Sequence, residues 1–444
     1  MLMEVKTFRA SKPLERPEGT YRKGELKEIV KINEKGCWGC QICHTVCPTN
    51  AIEGKFGEAQ KINYDKCIYC GQCLINCPYG VIEQMSFVDV VLEKLNDKNT
   101  KVVAILAPAV RVAIAEEFGK PPGTLTVGQL WYALKKAGFL IYENNFAADQ
   151  TILEEGTELL KRIVGNLGFS EFPIYVWDKK FIIKIKKEYP LPQFTSCCPA
   201  WVRYVEIYYP ELIPYLSSCK SPQQMAGATA KTFGAKYVWN VEPKNLFTVG
   251  IMPCTAKIFE ASRPEFNSAG HYWRNPEIRD VDAVLTTRDL ATIFKKLGIN
   301  PLNFPKKRQP KDFEWYSGAA TIFGTSGGVM EAALRFAFHV LSGLEPSAMS
   351  PKWDFEEVRG DCFYRRTAAI KIPLRKEYKS LFNMKEIELK VCVVNGIGPN
   401  GGHIKDILTQ VKENKSPYHF IEVMACPGGC LNGGGQPKHV LVLG

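Results

Sequence analysis

Hydrophobic and polar positions divide the chain near residue 86. Beyond that point short, valine-rich apolar runs recur: KVVAILAPAV from Lys101, LFTVGIMPC ending at Cys254, VDAVLTT from Val281, KVCVVNGI from Lys390 and HFIEVMAC ending at Cys426. Runs of this length with little polar alternation predict strands covered on both faces. Between them apolar residues return at intervals of three and four, in TILEEGTELLKRIV from Thr151, RDLATIFKKLG from Arg288 and GGVMEAALRFAFHVL from Gly327. That is the period of helices with one buried stripe. Buried strands alternating with helices predict parallel α/β sheets, and the spacing of the runs over residues 87–444 predicts two lobes. Residues 1–28 are polar and read as an N-terminal extension, whereas 29–86 is dense in cysteine.

That cysteine changes the picture. CWGCQICHTVCPTNAI sets Cys37, Cys40, Cys43 and Cys47 at C-x2-C-x2-C-x3-C with Pro48 following, and CIYCGQCLINCPYGVI repeats the spacing with Cys67, Cys70, Cys73, Cys77 and Pro78. The double run is that of bacterial two-cluster ferredoxins, in which three thiolates wrap one cube and the fourth reaches the other. Cys37, Cys40, Cys43 and Cys77 are therefore expected to hold one 4Fe-4S cluster, and Cys67, Cys70, Cys73 and Cys47 the second. The plainer alternative is a pair of structural zinc knuckles, which ordinarily use two ligand pairs across a long gap, often with histidine. A pair of cubes passes single electrons but does not say where they go.

Sixteen cysteines in 444 residues read as metal ligation before disulfides in a chain of this size without a secretory signal. Cys254 and Cys426 close apolar runs, Cys430 follows in MACPGGCLNGGGQP, and Cys197 and Cys198 follow the extended PLPQFTS. Ligands of open α/β sheets gather beyond the carboxyl ends of strands, so Cys198, Cys254, Cys426 and Cys430 are placed to converge on one inorganic centre between the lobes. Glycines 433–435 would let backbone pass close to a bulky cofactor. Taken alone, CPGGC reads equally well as two inert thiols in a glycine turn. Cys219, Cys362 and Cys392 match no ligand role and are expected to be ordinary buried thiols. His44, His271, His339, His403, His419 and His439 show no paired metal spacing and are assigned nothing.

A 45% hydrophobic content supports real cores and excludes a disordered chain. The formal charge of +11 points to an acidic partner, although thiolate-held cubes of roughly −2 each would lower it. No basic run interleaves with aromatics as single-strand nucleic-acid binders require, and no stretch of about 18 uncharged apolar residues is present to span a membrane. The N-terminal segment has neither an apolar signal core nor a twin-arginine signal, so the cytoplasm is the expected compartment. A subunit exported on a partner's signal would read the same.

FTSCCPAW (194–201), GIMPCTAKIFE (250–260) and EVMACPGGCLNGGGQP (422–437) resemble, in order, the three signature segments of FeFe hydrogenases, and SCKSPQQ (218–224) and FGTSGGVMEAALR (323–335) are similar to further parts of that catalytic domain. The resemblance runs from about residue 30 to the C-terminus and is closest to the shorter forms of the family. It implies an α+β ferredoxin-like two-cluster domain over 29–86, followed by a two-lobed α/β catalytic domain with parallel sheets over 87–444. It implies reversible reduction of protons to dihydrogen at an H-cluster, a 4Fe-4S cube bridged to a di-iron unit with carbonyl, cyanide and dithiolate amine ligands. By motif position Cys198, Cys254, Cys426 and Cys430 would hold the cube, with Cys430 as the bridge.

Around that centre, Cys197 is a spare thiol suited to passing protons. Lys257 would offer an ammonium to anionic cyanide, and Glu260, three residues on, would orient it; without the family context, a lone lysine is normally solvated. Met252 and Met424 precede cysteines by two, where soft side chains suit packing against the di-iron unit, although methionine in a strand is ordinarily core. Glu155, Glu158 and Arg162 fall on one helical face. Alone that is a solvated face, but the segment resembles the family's proton-carrying helix. The implied order is Arg162, Glu158, Ser217, Glu155, a water and Cys197.

The resemblance further implies a ferredoxin-like electron donor or acceptor, or an electron-transfer subunit, and maturation proteins for the di-iron unit. Two other classes compete: a hydrogenase-like iron-sulfur assembly scaffold, which is not expected to keep Cys197, Lys257 and MACPGGC together, and a hydrogen sensor, which would append a signalling domain or lose relay residues. One departure stands out. FPIYVWDKKFIIKIKKEYPLPQ (residues 172–193, the core of a basic insertion over 173–194) is longer and more basic than the family leads one to expect, and reads either as a decorated loop or as an edge hairpin that docks a redox partner or sister subunit.

Overall fold

The protein is described by a computed structural model covering residues 6–9, 28–176, 179–185, 189–346, 356–357 and 364–438. Cys362, His439 and most of the N-terminal extension lie outside these residues.

The cysteine-rich module is built on a small sheet in which Val30–Ile32 pairs antiparallel with Ile82–Ser86. Thr7–Arg9 adds a parallel strand to the other side of Ile82–Ser86, so part of the extension belongs to this sheet. Each cysteine run ends in one short helix, Ile42–Thr45 or Gln72–Asn76. The repeat extends to the backbone. Gly39 and Gln41 have φ of 67° and 59°, and their counterparts Tyr69 and Gly71 have 58° and 73°. Left-handed residues alternating with right-handed ones turn successive N–H groups inward, forming the concave nests that bind anionic clusters.

The larger domain contains two sheets. In the first, Ala283–Thr286, Leu246–Met252, Lys101–Leu106 and Leu140–Glu143 lie side by side, all parallel. Every residue of Leu246–Met252 is buried, as the unalternating pattern requires. In the second sheet Gln193–Phe194, Phe420–Met424 and Glu386–Asn395 are parallel, but Arg365–Pro373 and Glu356–Glu357 continue it antiparallel. The expectation of parallel sheets thus holds for the first and needs correction for the second, where one face of the outer strands is open: Ile370 and Ile372 are buried while Lys371 is exposed. Alternation of that kind marks a half-covered antiparallel strand.

The helix Thr287–Lys296 begins with a capping box between Thr286 and Asp289. Asp289 also accepts from Ser86 Oγ at 2.6 Å and Gln84 Nε2 at 3.2 Å, tying the module to the first sheet, and the two share one continuous core. A second core fills the other lobe and includes Leu159, Leu334, Val391 and Phe420. The insertion is a hairpin, Glu171–Val176 with Lys179–Lys184. Phe172 and Ile174 sink into that second core while Phe181 and Ile182 stay half-exposed. Among the described residues no helix is long and apolar enough to cross a membrane.

Candidate active site

Three groups of thiols form where the sequence places them. Cys37, Cys40, Cys43 and Cys77 line one cavity of about 330 Å³ beneath Trp38 and Tyr79. Burial, and then the charges of Cys40, Cys37 and Cys77, push the Cys43 thiol up to about 11. Cys73 is held well above its usual value by burial first and then by Cys70, Cys67, Cys47 and, across from the other group, Cys43. The two groups are therefore neighbours, each completed by the fourth cysteine of the other run. Four thiolates so close repel one another, and a multi-iron cation is what allows them to ionise together. Among the described residues none of these groups is arranged to grip a single metal ion.

The third group lies between the sheets. Leu246–Met252 delivers Cys254 into the helix Ala256–Ser262, Phe420–Met424 delivers Cys426 and then Cys430, and Cys198 caps the helix Pro199–Tyr208. All four, with Cys197, Lys257, Met252 and Met424, line one cavity. Burial raises the Cys426 thiol, as do Cys254, then Cys70 of the module, then Cys198 and Cys430. The four-sulfur donor set fits a cube, and Cys197, Lys257, Met252 and Met424 wall the space beside it. Gly433 lines this cavity as the glycine-rich segment suggests, and the glycines after Cys430 also meet other loops. A Cβ on Gly434 would collide with the backbone of Cys70 and Gly71, and one on Gly433 with Pro253: the neighbour that excludes a side chain is another loop. Sequence shows that a position tolerates no Cβ, not what lies against it.

Lys257 does not stand alone at the cavity wall. Its Nζ donates to Glu260 Oε2 at 2.9 Å and to the carbonyl of Cys197 at 3.1 Å. Burial opposes its charge, but Glu260, with Cys197 and Cys254, leaves the ammonium above its usual value. Glu260 is anchored in turn by Ser221 Oγ at 2.8 Å and Gln223 Nε2 at 3.1 Å.

The helix Asn144–Asn166 carries the three charged residues, and they are not a solvated face: Glu155, Arg162 and Glu158 are 1%, 2% and 7% exposed. Arg162 donates to Glu158 at 2.6 Å and to the carbonyls of Pro190 and Leu216 at 2.9 and 2.7 Å. The segment following the insertion's hairpin therefore covers this end. Ser217 Oγ donates to Glu158 Oε2 at 3.0 Å. Burial and then the Glu158 carboxylate push Glu155 up to about 8, with Ser217 pulling down. Glu155 Oε1 is buried without a protein partner. The Cys197 thiol is raised by burial and then by Glu155.

Two residues join this group against expectation. Cys219 is not an inert core thiol: it is half-buried, and its Sγ lies 3.8 Å from Glu158 Oε2. It lines a cavity together with Ser217, Ser218 and Glu260. Cys392, by contrast, is fully buried as expected. Glu422 was not singled out, although an acid inside the apolar run HFIEVMAC is a visible signal. It accepts from Gly327 N at 2.6 Å and Met330 N at 2.7 Å, at the start of the helix Gly328–Ser342. Burial pushes it up to about 7 despite those donors.

Residues 100–434 match the model of the iron-only hydrogenase large subunit, C-terminal domain, and residues 29–78 that of a 4Fe-4S dicluster domain. The chain is 44% identical to the periplasmic [Fe] hydrogenase large subunit of Nitratidesulfovibrio vulgaris, over 92% of this chain and 86% of that one. It is 38% identical to iron hydrogenase 1 of Clostridium pasteurianum over 80% of its own length, and spans about half (53%) of that protein. A solved FeFe hydrogenase from Chlamydomonas reinhardtii aligns with a TM-score of 0.65 and 37% identity, covering 80% of this chain and 85% of that one. The cytosolic iron-sulfur assembly component 3 of Bos taurus is more distant, at 29% identity over 77% of this chain and 63% of that one. Four convergent thiols between two sheets, behind a two-cluster module, agree with those likenesses, and the chain belongs to the FeFe hydrogenases, oxidoreductases acting on hydrogen, with two 4Fe-4S clusters and an H-cluster as its cofactors.

Proposed function

We propose that the protein interconverts protons and dihydrogen, 2H+ + 2e− ⇌ H2, with Cys198, Cys254, Cys426 and Cys430 holding the cube of the H-cluster and Cys430 bridging to the di-iron unit. When bound, that cofactor supplies the redox chemistry at which two electrons and two protons combine. Cys37, Cys40, Cys43 and Cys77 hold the outer ferredoxin-type cluster, and Cys47, Cys67, Cys70 and Cys73 the inner one. The mutual charge interactions within each set, and between Cys43 and Cys73 and between Cys70 and Cys426, support that order.

Cys197 holds a proton at the cavity wall because burial keeps its thiol neutral. Glu155, raised to about 8, can both take and give a proton near neutral pH, which suits a relay. Ser217 links it to Glu158, and Arg162 fixes Glu158 in place. Lys257, oriented by Glu260, presents a cation and a donor toward anionic cyanide, and Met252 and Met424 pack the apolar wall. The exposed, stacked pair Trp38 and Tyr79, with centroids 6.0 Å apart over the outer cluster cavity, is the proposed docking face for an acidic ferredoxin-like partner or electron-transfer subunit. Maturation proteins would deliver the di-iron unit. The cytoplasm stays the proposed compartment; the N. vulgaris relative is named periplasmic, and cell fractionation decides between the two.

The observation that carries this reading is the convergence of four cysteines, Cys197 and Lys257, itself held by Glu260, on one cavity. An assembly scaffold has no use for the last three. Infrared spectra of maturated protein are expected to show carbonyl and cyanide bands together with hydrogen turnover. Iron-sulfur absorption alone, with every cube filled and no turnover, overturns it.

A further inference from the structure

Gly433–Gly435 is pressed between two cluster-binding loops. A Cβ on Gly434 would fall 2.5 Å from the carbonyl oxygen of Cys70 and 2.6 Å from the Cα of Gly71. On the opposite side, a Cβ on Gly433 would fall 2.3 Å from the carbonyl oxygen of Pro253, and one on Gly435 3.0 Å from the amide nitrogen of Cys254. From the module, a Cβ on Gly71 would meet the Cα of Gly434 at 2.8 Å. These obstacles are backbone atoms, which cannot rotate away as a side chain can, and Gly71 is closed further by Thr255 Oγ1 at 2.7 Å. None of Gly433, Gly434 and Gly435 has a positive φ, so contact and not backbone conformation excludes a side chain there.

The layers are also stitched together. Thr255 Oγ1 donates to the carbonyl of Tyr69 at 2.7 Å, Gln72 Nε2 to that of Asn432 at 2.9 Å, and Arg288 Nη2 to that of Gly434 at 2.8 Å. Cys70–Gly71, the glycine ribbon and Pro253–Cys254 thus pack backbone against backbone, with Thr255 also touching Tyr69 and Gly71 directly.

We propose that this ribbon is a spacer, with Gly71 and Gly434 as positioning residues, that fixes the separation between the inner ferredoxin-type cluster and the catalytic cluster and so sets the rate of electron transfer between them. The inference rests on the ligand assignments above. Each H2 formed consumes two protons and two electrons; the electrons come from the external donor, which is oxidised, and cross the ribbon one at a time. No bond forms or breaks at the glycines. Tunnelling falls steeply with distance, so a layer that cannot be thickened by even one methyl group guards the step.

The test is Gly434→Ala in the cluster-replete enzyme. Hydrogen production driven by reduced ferredoxin is expected to fall severalfold. Isotope exchange between H2 and D2O, which uses the catalytic centre and the proton relay but no electron crossing the ribbon, is expected to hold. The magnetic interaction between the reduced inner cluster and the catalytic cluster, read by paramagnetic resonance, is expected to weaken. Gly318→Ala, where a Cβ meets nothing within 4 Å, leaves all three unchanged. Should Gly434→Ala fail to load its clusters, Thr255→Val decides in the same way, because it removes the Tyr69 hydrogen bond at nearly constant shape. An unaltered electron-fed rate with unaltered magnetic interaction overturns the spacer, as does a parallel loss of isotope exchange in replete protein. Absence of isotope exchange in the replete wild type would instead sink the functional reading.

Discussion

The two sides of the catalytic cavity are made of opposite materials. Toward the module there is bare backbone, with Gly434 against Cys70 and Gly71. Toward the helix Asn144–Asn166 there is a row of buried charge, Glu155, Glu158 and Arg162, bridged by Ser217. Under the proposed function the contrast has a cause, with electrons crossing the first side and protons the second. An electron needs only proximity, so that side gives up its side chains. A proton moves between bonded neighbours, so the other side carries polar groups into the interior, where each costs desolvation free energy. Damage should therefore come from adding atoms on one side and from removing polar atoms on the other.

The largest loss expected on the proton side is at Cys197. Cys197→Ala removes the thiol at the cavity wall and should lower hydrogen turnover by ~10²–10⁴-fold, the range of a lost acid-base group, while dithionite still reduces both module clusters. Turnover near wild type would end the relay assignment. Glu155→Gln comes next, with a loss of ~10²-fold and a shift of the pH profile, since the group it removes titrates at about 8. If the two variants together cost about as much as either alone, both act in one path.

Arg162 separates relay from support. Its side chain is fully buried and that of Glu158 is 9% exposed. Arg162→Leu strands a buried carboxylate among Ser217, Ser218 and Cys219 and should cost about 3–5 kcal/mol of stability by denaturant unfolding. The double variant Arg162→Leu/Glu158→Leu should recover much of that loss. A single variant as stable as wild type would mean that the pair does not hold this end together. On the electron side, Trp38 is 73% exposed, so Trp38→Ala should leave stability within about 0.5 kcal/mol. It should raise KM for a ferredoxin donor severalfold at unchanged kcat, and an unchanged KM would move the docking face elsewhere.

The same contrast explains what the sequence could reveal. The eight module cysteines are legible because three ligands of each cube sit within seven residues, and the chain repeats that local geometry down to the left-handed residues at Gln41 and Gly71. Cys198, Cys254 and the Cys426–Cys430 pair are separated by long stretches, and only their places just past strands hint at convergence. Cys219 and Glu422 depend on what packs across from them, which no local pattern carries: one faces Glu158, the other the amides of Gly327 and Met330. Thr7–Arg9 is too short to announce itself and becomes a strand through Gln84–Ser86. The antiparallel Arg365–Pro373 went unread because its alternation is confined to one end.

The smallest effect concerns pH. Glu155 at about 8 and Glu422 at about 7 both sit above their ordinary 4.5, so the folded state binds protons that the unfolded chain has released. Stability from these groups is full below about 4.5 and is lost as pH rises through 7 and 8. Glu422 is faced by the amides of Gly327, Val329 and Met330 and by Arg366, which favour its charge, and by Glu155, Cys197 and Cys430, which oppose it. Glu422→Gln keeps an acceptor for the amides but cannot ionise. The cluster-loaded wild type should therefore lose stability between pH 6 and pH 8.5, and the variant should lose less, by on the order of 1 kcal/mol. Parallel stability curves for the two proteins would mean that Glu422 is charged throughout that range, with its amide donors outweighing burial. The proton side would then hold one fixed anion beside Cys197, which would keep Lys257 charged and change which group hands the thiol its proton.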